Sequence, residues 1–193
     1  MSQPPSFAQP SRPPLPAHRL TPLITEEELR SRVGELATEI SNDYRELDPV
    51  FIGVLQGAFM FVADLIRAID YPVTTEFIRV SSYGTQVVTS GEVKMELDLA
   101  SSIANRHVIL VEDIVDTGLT LDYLKANLAA RNPGSIKVCS LLHKPENNVK
   151  LATIEYLGFN IPNKFVVGYG LDYKGYYRNL PHIAEIEEIK VKI

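Results

Sequence analysis

The sequence predicts an α/β fold, with a mainly parallel central sheet flanked by helices, and three observations carry that reading. Short apolar runs rich in β-branched residues lie at Val50 to Leu55 and Val108 to Val111, with a third apolar stretch at Ile136 to Leu142 interrupted by Lys137 and Ser140, and runs of this kind suit strands buried on both faces of a parallel sheet. Helical apolar spacing follows the first two runs, over Ala58 to Ile69 and through Leu121, Leu124 and Leu128, so strand and helix alternate. Polar chemistry is concentrated where the runs end, which is the edge at which open α/β sheets bind ligands.

The whole-chain composition limits the possibilities further. A chain of 193 residues with 45% apolar and 22% charged residues is expected to fold as one domain with a substantial core. The net charge of -5 opposes a nucleic-acid footprint, because phosphate backbones recruit clustered Lys and Arg. No apolar run approaches the roughly 20 residues of a membrane span, and the N-terminus lacks a signal-peptide core, so no membrane partner and a cytoplasmic location are expected. The single Cys139 lies inside an apolar run and reads as a buried, inert thiol.

In chain order, Met1 to Pro22 carries seven prolines with Ser and Gln and is expected to stay disordered or extended, leaving residues 23–193 as the folded domain. Pro10-Ser11-Arg12-Pro13 matches a Pro-x-x-Pro ligand, a pattern too common in such tails to imply a partner. Thr25 and Glu28 form a capping box that opens a helix, and Leu29, Val33, Leu36, Ile40 and Tyr44 continue its apolar stripe. Val50 to Leu55 is a buried strand, and Gln56-Gly57 turns it into the next helix. Val73 to Val80 and Val93 to Leu97 read as strands around a long polar, glycine-punctuated loop, Ser81 to Gly91. Connections of that length favour a functional lid.

The central strand from Val108 ends in chemistry. Glu112, Asp113 and Asp116 put three carboxylates into five positions, and mid-strand they would each cost several kcal/mol, as uncompensated buried ions do. They belong at the strand's carboxyl end, against a cation or hydroxyls. Asp116-Thr117-Gly118-Leu119-Thr120 then leads into a helix whose free N-H groups and dipole suit a phosphate. Helix capping alone would explain Asp116 or Thr117 but leaves Glu112 and Asp113 without a role. Asn132-Pro133-Gly134 stops this helix, Ile136 to Leu142 is the next strand, and His143 and Lys144 emerge at its carboxyl end. Thr153 to Leu157 and Lys164 to Val167 read as further strands, followed by the glycines Gly168, Gly170 and Gly175.

The run Val111-Glu112-Asp113-Ile114-Val115-Asp116-Thr117-Gly118-Leu119-Thr120 resembles the phosphoribosyl-diphosphate (PRPP) signature of the type I phosphoribosyltransferases. Leu142-His143-Lys144-Pro145 and Phe165-Val166-Val167-Gly168-Tyr169-Gly170-Leu171-Asp172-Tyr173 narrow the resemblance to the hypoxanthine-guanine branch, with the motifs in order from about Leu23 to the C-terminus. It implies that family's fold, with a small hood made from the terminal segments. It also implies a purine-salvage enzyme that transfers the 5-phosphoribosyl group from PRPP to N9 of hypoxanthine or guanine, with Mg2+ as cofactor and pyrophosphate released. A homodimer or homotetramer is expected by the same likeness.

The resemblance assigns roles by position. Asp116 is the catalytic base candidate, and Glu112, Asp113, Asp116, Thr117, Gly118, Leu119 and Thr120 bind the ribose phosphate. Leu55, Gln56 and Gly57 form a pyrophosphate loop with a non-proline cis peptide, and Arg178 joins it. Gln56 stands where the family often has Lys, which removes a charge contact but leaves a backbone one. Ser82 and Tyr83 belong to the lid, and Lys144, Phe165, Val166 and Asp172 bind the purine. Glu112, Asp113 and Asp172 are the expected metal carboxylates. His143 and His182 receive no role. The alternatives are a PRPP-fold regulator that binds RNA or protein, and an orotate or adenine transferase; the purine-loop residues argue against both.

Overall fold

The computed structural model describes residues 15–82, 93–147 and 153–189. Its elements are β1 His18–Ile24, α1 Glu26–Tyr44, β2 Val50–Leu55, α2 Phe59–Ala68, β3 Thr74–Ser82, β4 Val93–Leu97, β5 His107–Val115, α3 Leu119–Ala129, β6 Ser135–His143, β7 Tyr156–Asn160, β8 Val166–Val167 and β9 Ile183–Glu188.

The main sheet has the order β4-β3-β2-β5-β6-β7. Only β3 and β4 pair antiparallel; the other neighbours are parallel. β5 is buried on both faces, which explains its unbroken apolar run. Ile109 and Val111 pack in the cluster that holds α1 and α2, while Val108 and Leu110 pack in the cluster that holds Leu121, Leu124 and Leu128 of α3. Cys139 joins the α1 and α2 side, fully buried, and burial pushes its thiol well above the ordinary range.

α1 begins at the expected capping box: Thr25 N donates to Glu28 Oε2 at 2.8 Å, and Glu28 N donates to Thr25 Oγ1 at 3.2 Å. Its stripe of Leu29, Val33, Leu36 and Ile40 is buried against the sheet side of α2. Each such side chain contributes roughly 1.5–3 kcal/mol by burial, and truncation of Leu36 to Ala would cost about 2–5 kcal/mol.

This topology places the site. β2 leads through α2 to β3 on one side, and β5 leads through α3 to β6 on the other, although β2 and β5 are adjacent. The connections diverge above the carboxyl ends of these two strands and open a crevice there, as at a topological switch point. A second, three-stranded sheet of order β1-β9-β8, antiparallel throughout, forms a hood.

The observed strands correct three expectations, two in the hood and one at the edge of the main sheet. His18 to Pro22, assigned by composition to the Pro-rich extension, belongs to β1, where His18 pairs with Glu188 and Leu20 with Ile186. Pro22 is tolerated because β1 is an edge strand, and the register shifts between Pro22 and Ile24. β9 has no counterpart among the expected elements, and the strand expected at Thr153 to Leu157 lies at Tyr156–Asn160. Pro10-Ser11-Arg12-Pro13, Tyr83 and most of the lid loop lie outside the described residues, as does the side chain of Ser82.

Candidate active site

Alternation along β5 divides its acidic end between two cavities. Glu112 continues the α3 side, where a cavity of about 90 Å³ is lined by Glu112, Ile114 to Gly118, Thr120 and Leu121. Asp113 faces the other side, into a cavity of about 300 Å³ lined by Gly57, Ile114, Asp116, Lys144, Phe165, Val166, Leu171, Asp172 and Arg178. Asp116, beyond the strand, borders both.

The smaller cavity is a loop entering a helix. Gly118 is the N-cap of α3 with φ of 80°, a left-handed conformation that glycine adopts without strain, and no side chain caps the helix. Leu119 N reaches only Thr117 Oγ1, at 3.4 Å. Asp116 therefore does not cap α3. The helix start keeps N-H groups directed at the cavity, which favours an anion.

Glu112 is buried beside this loop, and its Oε2 has no hydrogen-bond partner among the described residues. Burial, then the neighbouring Asp113, pushes its carboxyl well above the ordinary value. A buried carboxyl oxygen without a donor suits a hydroxyl or a cation, since an orphaned polar atom of this kind is costly.

The larger cavity draws on four chain segments. Asp113 lies so close to Gly57 that a Cβ there would stand 1.6 Å from Asp113 Oδ2, so any side chain at this position must displace the Asp113 carboxylate. The preceding Leu55-Gln56 bond is the cis peptide that the resemblance implies, and Gln56 is exposed. Burial raises Asp113 to about 6; its own and the Ile114 backbone N-H and Arg178 pull it down, and Asp172 pushes it up. Arg178 is held by Asp172 Oδ1 at 2.6 Å and donates to Gly170 O at 2.6 Å. Asp172 Oδ2 also accepts from Gly175 N at 2.6 Å.

At the other wall, Lys144 is only 8% exposed, and its Nζ lies 3.1 Å from Asp116 Oδ2. Phe165 is 55% exposed, unusual for a ring this large, and is braced edge-on by Tyr173 with centroids 5.9 Å apart. Val166 beside it is buried in β8. A buried ammonium, an open aromatic face and an adjacent backbone edge together fit a flat, polar heterocycle.

Residues 24–174 match the phosphoribosyl transferase domain. The chain belongs to the phosphoribosyltransferase family. Relatives include the hypoxanthine-guanine phosphoribosyltransferase of Mycobacterium bovis, 49% identical over 86% of this chain and 85% of its own length, and that of Bacillus subtilis, 46% identical over 86% and 92%. Among solved structures, a hypoxanthine-guanine phosphoribosyltransferase from Bacillus anthracis is 48% identical with a TM-score of 0.82, covering 86% of this chain and 97% of its own. A Trypanosoma cruzi hypoxanthine phosphoribosyl transferase is 47% identical, also at 0.82, over 86% of this chain and 91% of its own.

In this phosphoribosyltransferase the three expected metal carboxylates line two cavities. Glu112 and Asp113 are adjacent in a strand and point to opposite faces, Glu112 lining the smaller cavity and Asp113 and Asp172 the larger. Among the described residues no three His, Cys, Asp or Glu side chains form a metal cage. Asp113 and Asp172 still line one cavity, where Asp172 adds to the cost of ionising Asp113, and they are the carboxylates there that could hold Mg2+ with substrate oxygens and water completing its shell.

The structure also adds a residue. Asn147 donates through Nδ2 to Asp116 Oδ1 at 2.7 Å, so Asp116 is held from both sides. Nothing in the sequence pattern around Pro145-Glu146-Asn147 marks it, except that it follows Lys144 by three residues.

Proposed function

We propose that this phosphoribosyltransferase acts in purine salvage, transferring the 5-phosphoribosyl group from PRPP to N9 of hypoxanthine or guanine and releasing pyrophosphate. The observation that carries this reading is Lys144, 8% exposed at the wall of the cavity that Phe165 opens onto. An ammonium has three donors and no acceptor, so it suits the O6 carbonyl of a 6-oxopurine. The names of the relatives support the same substrates.

In this reading Phe165 stacks on the base and the Val166 backbone reads its edge. Asp116 to Thr120 hold the 5'-phosphate at the start of α3, and Glu112 and Asp113 receive the ribose hydroxyls. The Leu55-Gln56-Gly57 loop and Arg178 take the pyrophosphate, Arg178 exchanging part of its hold on Asp172 for phosphate oxygens. Mg2+, held by Asp113 and Asp172 with substrate oxygens, would supply positive charge against the departing pyrophosphate.

Cleavage of the C1'-O bond develops oxocarbenium-like charge, which the carboxylates stabilise more in the transition state than in the ground state. Asp116 accepts the proton from purine N7 as N9 attacks C1'. Positioning of the two substrates supplies much of the remaining rate. We also propose association into a homodimer or homotetramer, which sedimentation at micromolar concentration tests; monomer alone would overturn it.

The function is tested by assaying purified protein with PRPP, Mg2+ and hypoxanthine, guanine, xanthine or adenine in turn. Nucleotide from hypoxanthine or guanine is the expected result. Transfer to none of them, or to adenine as readily as to hypoxanthine, would overturn the reading.

A further inference from the structure

Asp116 has two partners with different prospects during a reaction. Lys144 Nζ, 3.1 Å from Oδ2, is the group proposed above for purine O6, so its donors are divided once a base binds. Asn147 faces no such competition. It lies in a short turn, Pro145–Asn147, anchored by Asn147 N donating to Lys144 O at 3.1 Å, and Pro145 stiffens the segment.

The orientation of its amide is determined by chemistry. An ionised carboxylate only accepts hydrogen bonds, so Asn147 must turn its NH2 group to Asp116 Oδ1, at 2.7 Å. Asn163 Oδ1 accepts from the same nitrogen at 2.8 Å and holds the amide from behind.

We infer that Asn147 is a positioning residue for the transfer: it holds the Asp116 carboxylate in its base-facing orientation while Lys144 turns to the purine. Asn147 moves no proton and touches no substrate. This rests on the reading of Asp116 as the base for N7, and the test separates the two.

The experiment compares Asn147→Leu, Asn147→Asp, Asp116→Asn and the double variant Asn147→Leu with Asp116→Asn, by steady-state kinetics of hypoxanthine transfer. Asn147→Leu removes the donor at similar volume and should lower kcat about 10- to 100-fold, the effect of one hydrogen bond to a charged group, with KM for PRPP within twofold. Asn147→Asp keeps shape and solubility but sets a carboxylate against Asp116, and should lose at least as much. In the Asp116→Asn background the Asn147→Leu change should cost little, because the carboxylate it positions is gone.

A loss that persists undiminished in the Asp116→Asn background marks a merely structural residue and overturns the inference. So does full activity of both Asn147 variants alongside a crippled Asp116→Asn. Asp116→Asn within a few-fold of wild type overturns the base reading itself, and the inference with it.

Discussion

The two cavities flanking the end of β5 are built differently. Among the described residues, the lining of the smaller one comes from a single stretch of chain between Glu112 and Leu121, from strand to helix. The larger one collects Gly57 from the β2-α2 turn, Asp113 and Asp116 from β5 and beyond, Lys144 after β6, and Phe165 to Arg178 around β8. A phosphate is recognised by backbone groups that a local turn already presents, so one segment is enough. A heterocycle needs a face, an edge and a donor in three directions, and no single segment can supply them. The larger cavity therefore stands only while the hood is seated on the sheet.

The sharpest way to break this comparison is base choice. Adenine presents an amino group where Lys144 expects a carbonyl, and a site built around such a buried donor should reject it by up to about 10⁴- to 10⁵-fold in kcat/KM. Lys144→Ala should depress kcat/KM for hypoxanthine while KM for PRPP, whose 5'-phosphate is held in the other cavity, changes little. Normal base affinity with lost PRPP affinity in that variant would reverse the assignment of the two cavities.

Asp116 borders both cavities as the candidate base, and with Thr117 to Thr120 left to hold the 5'-phosphate its loss should affect chemistry more than either binding event. Asp116→Asn is expected to reduce kcat by roughly 10²- to 10⁴-fold with PRPP affinity retained, as measured by single-turnover kinetics and direct binding. A kcat within a few-fold of wild type would remove Asp116 from the chemistry.

Gly57→Ala attacks only the larger cavity. The added methyl must displace the Asp113 carboxylate, an overpacking worth about 1–3 kcal/mol, so kcat/KM should fall on the order of 5- to 150-fold. Binding of ribose 5-phosphate, followed by calorimetry, should fall less than kcat/KM, because the 5'-phosphate loop is untouched and only the Asp113 contact to the ribose is disturbed. Equal losses in both measurements would show that the cavities are not independent.

The smallest effect concerns stability. The Asp113 carboxyl is raised from 3.8 to about 6 by burial, so the folded protein holds a proton that the unfolded chain releases at lower pH. Its contribution is fully favourable below 3.8 and is lost as pH rises through about 6. Denaturant unfolding of wild type and Asp113→Asn across that window should show wild type losing stability relative to the variant. Parallel curves would mean that Asp113 ionises in the fold as freely as in the unfolded chain.

The sequence by itself determined what is carried by neighbouring residues. The unbroken run of β5, the Thr25 and Glu28 capping box and the Asp116 to Thr120 loop are each set by periodicity or spacing within one segment, and all three stand where expected. Even the two-sided burial of β5 was implied by its lack of alternation.

Tertiary structure decided the rest. β1 and β9 are short and half-exposed, and they pair with each other across most of the chain, β9 with β8 as well, so neither carries a strong pattern of its own. Pro22 weighed against a strand until an edge position excused it. Asn147 reaches Asp116 across 31 residues, and no local signal distinguishes an amide that holds a carboxylate from one that faces water. Glu112 and Asp113 look like a pair in sequence, but the pleat turns them into opposite cavities, because adjacent side chains in a strand face away from each other.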